Sequence, residues 1–272
     1  MRPSILTIAA SRVRRIPRLA SGALALVLLA APGAAVAQQR EAELPFAVGE
    51  HLRFTARVAK VGKVGKAVMW IEGPRELRGA EAYVLRFDFH ARVGPVKAAD
   101  RTESWLDAHR MASLRFSKHE RHPLSSHDEK VELFPDERRW QGEDGAGGES
   151  PTDLPLDELS FMYFIRTLAL PADTTYRFER HFDAARNPTT VRVVRRESVT
   201  TEAGEFQTVL VEMRVRDARR YRGEGVIRIS LTDDERRLPV RIESAMPVIG
   251  KAVLTLESHV AGAPLRLIAR AP

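Results

Sequence analysis

No cysteine occurs anywhere in the 272 residues, and that absence removes several classes of protein at once. Disulfide staples, a thiol nucleophile and thiolate metal sites are excluded, and so is a lipid-modified cysteine behind an export leader. The chain is long enough to bury a core without staples. Also missing are the glycine patterns that cradle phosphates or dinucleotides, a G-x-S-x-G nucleophile elbow and any repeat of fixed period. Ser125-Ser126-His127-Asp128 sets triad residue types side by side, whereas working triads are assembled from separated positions. The enzyme reading therefore has no chemical foothold in the sequence.

What is present begins with an address. Arg2, Arg12, Arg14, Arg15 and Arg18 precede an apolar run over 19–31, with no acidic residue among them, and Ala35-Val36-Ala37 follows. This is a basic n-region, an h-region short for a bilayer span and an A-x-A cleavage site, so residues 1–37 are expected to be a Sec-type signal peptide. The product would be periplasmic or secreted, would not be a lipoprotein, and would keep no membrane span. Those five arginines are part of 43 basic residues, leaving 38 against 36 acidic ones, a net of +2. Because the remaining charges alternate in sign along strands, no nucleic-acid partner is expected.

After a disordered entry over 38–44, the text reads as one β-rich domain over 45–262 with a tail over 263–272. Residues 51–60 alternate Leu52, Phe54, Ala56 and Val58 against polar neighbours, the period of a half-buried strand. Similar segments recur at 66–72, 83–92, 102–107, 111–119, 130–134 and 138–140, then at 174–182, 189–197, 205–216, 225–231, 238–244 and 251–260. Turn residues between them indicate antiparallel pairing. The Gly-rich, acidic stretch 141–152 is expected to be a mobile loop.

One segment is different. Over 157–170, Leu159, Phe161, Met162, Phe164, Ile165, Leu168 and Leu170 occupy nearly every angle of a helix, the pattern of a helix enclosed by other elements. Asp153 is available as its cap, Asp157 and Glu158 fall in its first turn, and Pro171 stops it. The fold expected is mainly β: a curved antiparallel sheet or incomplete barrel clasping one buried helix.

Candidate sites are few. Phe54, Trp70, Phe87, Phe89, Phe161 and Phe164, with Trp105 and Phe116, would fill the core or, if the helix leaves room, line an apolar ligand pocket. His119, His122, His127 and Asp128 are residue types that bind zinc, but in no recognised spacing, so no metal or other cofactor is implied and 118–130 reads as a polar hairpin loop. Asp233 to Arg237 reads as a hairpin tip.

Several ordered blocks carry a family resemblance. VRVVRRESVTTEAGEFQTV (191–209), LTDDERRLPVRIE (231–243) and GKAVL (250–254), with PFAVGEHLRF (45–54) and LDELSFMYFIRTLAL before Thr174, together resemble the bacterial exported family called domain of unknown function 3108. One departure is Ile229 or Ser230 where that family often has a tryptophan. The resemblance implies an exported, mostly β protein and supplies no activity and no site residues. The LPVRIE strand is also similar to strands of periplasmic lipoprotein carriers, half-barrels that hold acyl chains around a helix. The function expected is a non-catalytic binding or interaction module for an apolar or envelope-derived ligand, with an envelope-directed hydrolase and a filled-core scaffold as alternatives. Nothing in the sequence fixes an oligomeric state.

Overall fold

The computed structural model describes residues 44–264 except 60, 124, 220, 222 and 247–249. The expected leader over 1–37, the entry segment up to 43 and the tail beyond 264 lie outside the described residues. Those described belong to a single compact unit.

Two short strands, β1 (Ala47–Val48) and β16 (Ala263–Pro264), pair with each other. All other strands form one antiparallel sheet. Its first run is β2 (His51–Val58), β3 (Gly62–Leu77), β4 (Ala80–Val93), β5 (Val96–Asp107), β6 (Ala112–His122), β7 (Ser125–Phe134), β8 (Arg139–Gly142) and β9 (Gly147–Glu149). The helix α1 (Glu158–Phe164) intervenes. A second run then follows: β10 (Thr175–Phe178), β11 (Thr189–Thr201), β12 (Gly204–Arg216), β13 (Glu224–Thr232), β14 (Pro239–Met246) and β15 (Gly250–Val260). Each strand pairs with the next in its run, and β15 pairs with β2, so β9 and β10 are left as free edges. The sheet is curved and open, an incomplete barrel around one buried helix, as the alternation and the all-round apolar helix indicated.

The helix is shorter than its sequence pattern suggested. Asp157, not Asp153, is the cap: its Oδ1 accepts from the backbone N–H groups of Leu159 and Ser160, both at 2.9 Å, while Ser160 Oγ accepts from the Asp157 N–H. This reciprocal box satisfies orphan donors at the helix start. A 3₁₀ turn over Ile165–Thr167 tightens the other end and Leu168 is already extended. Pro171 contributes, since a helix running through it would lack one N–H and crowd the Thr167 carbonyl.

Two loop expectations change. Residues 139–149 contain the β8–β9 hairpin, although Gly147 to Glu149 are exposed. Residues 118–130 are two paired strands almost throughout, because β6 and β7 stay in register from Arg115 opposite Glu132 to His122 opposite Ser125.

Inside the sheet, α1 packs against β4 and β5 on one side and against β10 on the other. Phe161, Phe164 and Phe178 meet edge-to-face at 5.1–5.8 Å, a favoured arrangement for aromatic rings. Tyr163 meets Phe46 at 5.1 Å. Just past the helix, buried Arg166 forks onto buried Glu50 at 2.7 and 2.8 Å and also donates to the carbonyls of Pro45 and Arg236.

Candidate functional site: an apolar trough and a charged seam

Cross-strand register shows what lines the inner face. One ladder of partners runs from Val193 through Val211, Ile229, Ile242 and Leu254 to Ala56, Gly65, Ala91 and Ala98, joining β11 to β5 with no polar side chain. At the β11 end it is buried. From Ile242 to Ala98 it is half-exposed, apart from Ala56. Its middle is small: Ala56, Gly65 and Ala91 lie between Leu254 on one side and Phe89 in the adjacent row. Gly65 has to be glycine, since a Cβ there would stand 1.9 Å from the His90 carbonyl oxygen. This row of small residues between bulky flanks is a half-exposed apolar strip at the end of the sheet away from α1, referred to below as the trough.

Towards β7 the same face turns polar. Phe87 faces Thr102, Thr102 faces Lys118 and Lys118 faces Glu129; in the next row Phe89, Asp100, Glu120 and His127 follow one another. Lys118 is only 3 % exposed. It donates to Glu158 and lies 3.6 Å from Glu120. Arg186 donates to Glu158 at 3.1 Å and approaches Glu129 at 3.6 Å, while Arg219 donates to Glu120 at 2.9 Å. These ion pairs tie β6, β7 and α1 to the segment after β10 and to the β12–β13 connection, so charge links the two runs of strands on the side where no ladder joins them. His181 lies in this seam: burial, reinforced by the Arg186 charge, pushes its pKa down to about 4. Its Nδ1 accepts from the Asp183 N–H at 3.1 Å, so the neutral ring carries its proton on Nε2.

The sequence did not single out this seam. The signal was there in β6, where Lys118 and Glu120 continue the inward alternation begun by Phe116, but charged residues at such positions look like a solvated face until the opposing element is known.

The aromatic candidates separate into groups. Phe54, Phe161 and Phe164 are buried in the main core, Phe87 and Phe89 are partly open against it, and Phe116 joins a second cluster with Val131, Leu133 and Phe182. Trp70 and Trp105 are on the other face. Each donates its indole N–H to a glutamate two residues away in its own strand, Glu72 and Glu103, and Trp105 is flanked by Arg75 and Arg115. Two surface hollows lie away from α1, one beside the β8–β9 hairpin around Trp140 and one on the outer face at Arg57, Arg241 and Lys251.

The four metal candidates are divided by strand alternation. His119 and Asp128 share the outer face, 2.8 Å apart, with Arg121 forked onto the same carboxylate at 2.7 and 2.8 Å. Those hydrogen bonds hold Asp128 down at about 2. His122 and His127 face inward and each takes a different acid: Asp100 at 2.7 Å and Glu129 at 3.6 Å. No group of three potential metal ligands converges among the described residues. Asp233 and Asp234 sit at the β13–β14 turn, where Asp234 accepts the backbone N–H groups of Arg236 and Arg237.

A family model for a protein of unknown function, DUF3108, matches residues 53–257. The chain belongs to the DUF3108 family. The match takes in the sheet from β2 to β15 together with α1, and hence both trough and seam. No curated protein matches this DUF3108 chain. Among solved structures, it is similar to a beta-barrel-like protein of the DUF1849 family from Brucella abortus, with a TM-score of 0.53 and 12 % identity over 80 % of this chain and 99 % of that one. At that identity the likeness concerns the fold alone. A candidate exported protein with a YmcC-like fold from Bacteroides fragilis has a TM-score of 0.32 and 12 % identity over 80 % and 98 % of the two chains. A candidate lipoprotein from Parabacteroides distasonis has 0.31 and 9 % over 80 % and 99 %. No helix among the described residues is long and apolar enough to cross a membrane.

Proposed function

We propose that this DUF3108 protein is an exported, non-catalytic binding module that receives an apolar chain of envelope origin in the trough. The observation that carries the reading is the apolar ladder whose half-exposed part includes Gly65 and Ala91, beside buried Ala56, and is flanked by Leu254 and Phe89. Small residues among large ones leave apolar surface uncovered, which water solvates poorly and a hydrocarbon chain would cover. Export is supported by the basic and then apolar opening that ends in Ala35-Val36-Ala37. A second reading, a scaffold with a filled core, is favoured by the tight aromatic packing of α1 and the ionic closure of the seam.

Uptake of an environment-sensitive fatty-acid probe, with native mass spectrometry of protein recovered from cells, separates the two. A carrier gives saturable uptake and a co-purifying hydrophobic mass. Ala91→Trp, which fills the trough, lowers uptake at least tenfold, a loss of about 1.4 kcal/mol of binding, while leaving the melting temperature near that of the parent. A clean apo mass with no uptake would leave only the scaffold.

A further inference from the structure

Exposed large hydrophobic side chains are few among the described residues, and three of them gather in one place: Val61 (53 % exposed), Val93 (45 %) and Val96 (48 %). Val61 is in the turn between β2 and β3, and Val93 pairs with Val96 across the Gly94-Pro95 turn between β4 and β5. Since β3 and β4 are antiparallel neighbours, with Gly65 opposite Ala91 near their tips, the two hairpins project from the same end of the sheet. Their charge is of one sign. From Arg57 to Ile71 the sequence has basic residues and no acidic one, and the same holds from Phe89 to Ala99. Lys63, Arg92 and Lys97 are exposed and make no salt bridge among the described residues, Arg92 donating only to the Gly94 carbonyl of its own tip.

A single exposed valine needs no explanation, but two adjacent valine-bearing tips ringed by exposed cations, with Glu257 near Lys63 and Lys66 as the acidic neighbour, form a pattern. Three valines offer too little area for a stable protein interface, which buries roughly 1,200 Å² or more. They do suit the boundary layer of a bilayer, where a short apolar contact alone binds weakly and an adjacent basic patch supplies the second attraction, to anionic head groups.

We infer that the β2–β3 and β4–β5 tips dock the protein on the surface of an anionic lipid bilayer. Docking does not depend on the trough being a ligand site. It extends the proposed function, because Gly65 and Ala91 stand at the roots of these tips and a docked protein holds its trough beside the membrane.

The test is flotation of the protein, as recovered from cells, with vesicles of phosphatidylcholine alone or with phosphatidylglycerol added. Each variant is compared with a parent carrying the same N-terminus. Binding is expected to the anionic vesicles and to fall as salt rises. Lys63→Glu with Lys97→Glu should weaken it at least about twentyfold, taking roughly fivefold per elementary charge near an anionic surface as a lower guide. The triple change of Val61, Val93 and Val96 to Asp should abolish it. These positions are exposed, so both variants should melt like the parent and take up the fatty-acid probe as the parent does, which keeps a failure of docking distinct from a failure of the trough. Equal binding to neutral vesicles, full binding by the valine variant, release by millimolar-range inorganic phosphate at constant ionic strength, or a dimer that the valine changes dissociate would each overturn the inference.

Discussion

Removing the Glu50 carboxylate should destabilise the fold far more than an average substitution, and the reason is specific to where Arg166 sits. Arg166 is 2 % exposed and Glu50 4 %. Two short parallel hydrogen bonds join them, and the guanidinium also reaches the carbonyls of Pro45 and Arg236 and lies 5.4 Å from the rings of Phe46 and Tyr163. Glu50→Gln keeps the volume but leaves a cation buried without its counter-charge, at a cost of about 3–5 kcal/mol. For a domain of this size the melting temperature would fall by roughly 6–20 °C, at about 2–4 °C per kcal/mol. The double change Glu50→Leu with Arg166→Met removes both charges. It still strips donors from two carbonyls, each worth about 1 kcal/mol, so it should be less stable than the parent but more stable than Glu50→Gln. Thermal and urea unfolding followed by circular dichroism measure all three proteins. Should the single change cost under about 1 kcal/mol, a fraction of the buried-pair figure, or should the double variant be weaker than the single one, the lock between helix and sheet is not what the geometry says.

Other consequences are open to the same measurements. His181 stays neutral in the native state, with its pKa lowered from 6.5 to about 4. Its contribution is therefore complete above pH 6.5 and is lost as the pH falls towards 4, where the unfolded chain takes a proton that the native chain refuses, roughly 3 kcal/mol in all. His181→Gln should flatten that part of the stability–pH curve, and an unchanged slope would rule out this source. Asp157→Ala removes the cap and the acceptor of the Ser104 hydroxyl at 2.6 Å, so a loss of about 2–4 kcal/mol is expected in urea. Gly65→Ala drives a methyl group into the His90 carbonyl and should cost about 1–3 kcal/mol or more; a wild-type melt would mean that β3 and β4 are further apart at the trough.

The sheet and its helix were legible because their signals are local. Alternation in 51–60 locates β2, and apolar residues around the whole circumference of 159–165 identify an enclosed helix without any knowledge of its neighbours. Signals that depend on pairing were not legible. The sequence around His119 to Asp128 is polar enough to pass for a loop, yet β6 and β7 hold it in register, and that register is what sends His119 outward and His122 inward. Asp153 and Asp157 are equally good caps as residue types. Asp157 is held by its local box with Ser160 and, in addition, by Ser104 on β5 and Ser113 on β6, both far away in the chain. The trough is likewise invisible in order of sequence, because Ala56, Gly65, Ala91 and Leu254 become neighbours only across four strands.

The pairing of β15 with β2 has a consequence for how the protein is made. Val58 finds its partner in Ala252 and Leu52 in His259, about two hundred positions later. Early in synthesis β2 has β3 beside it but nothing on its other flank, and that flank is completed only when nearly the whole polypeptide has emerged. Contacts so distant in the chain form late and slowly. A molecule whose first long strand waits for its last one reaches its full set of pairings only when nearly all of its sequence is available to fold, so truncation at the C-terminal end should expose the outer flank of β2.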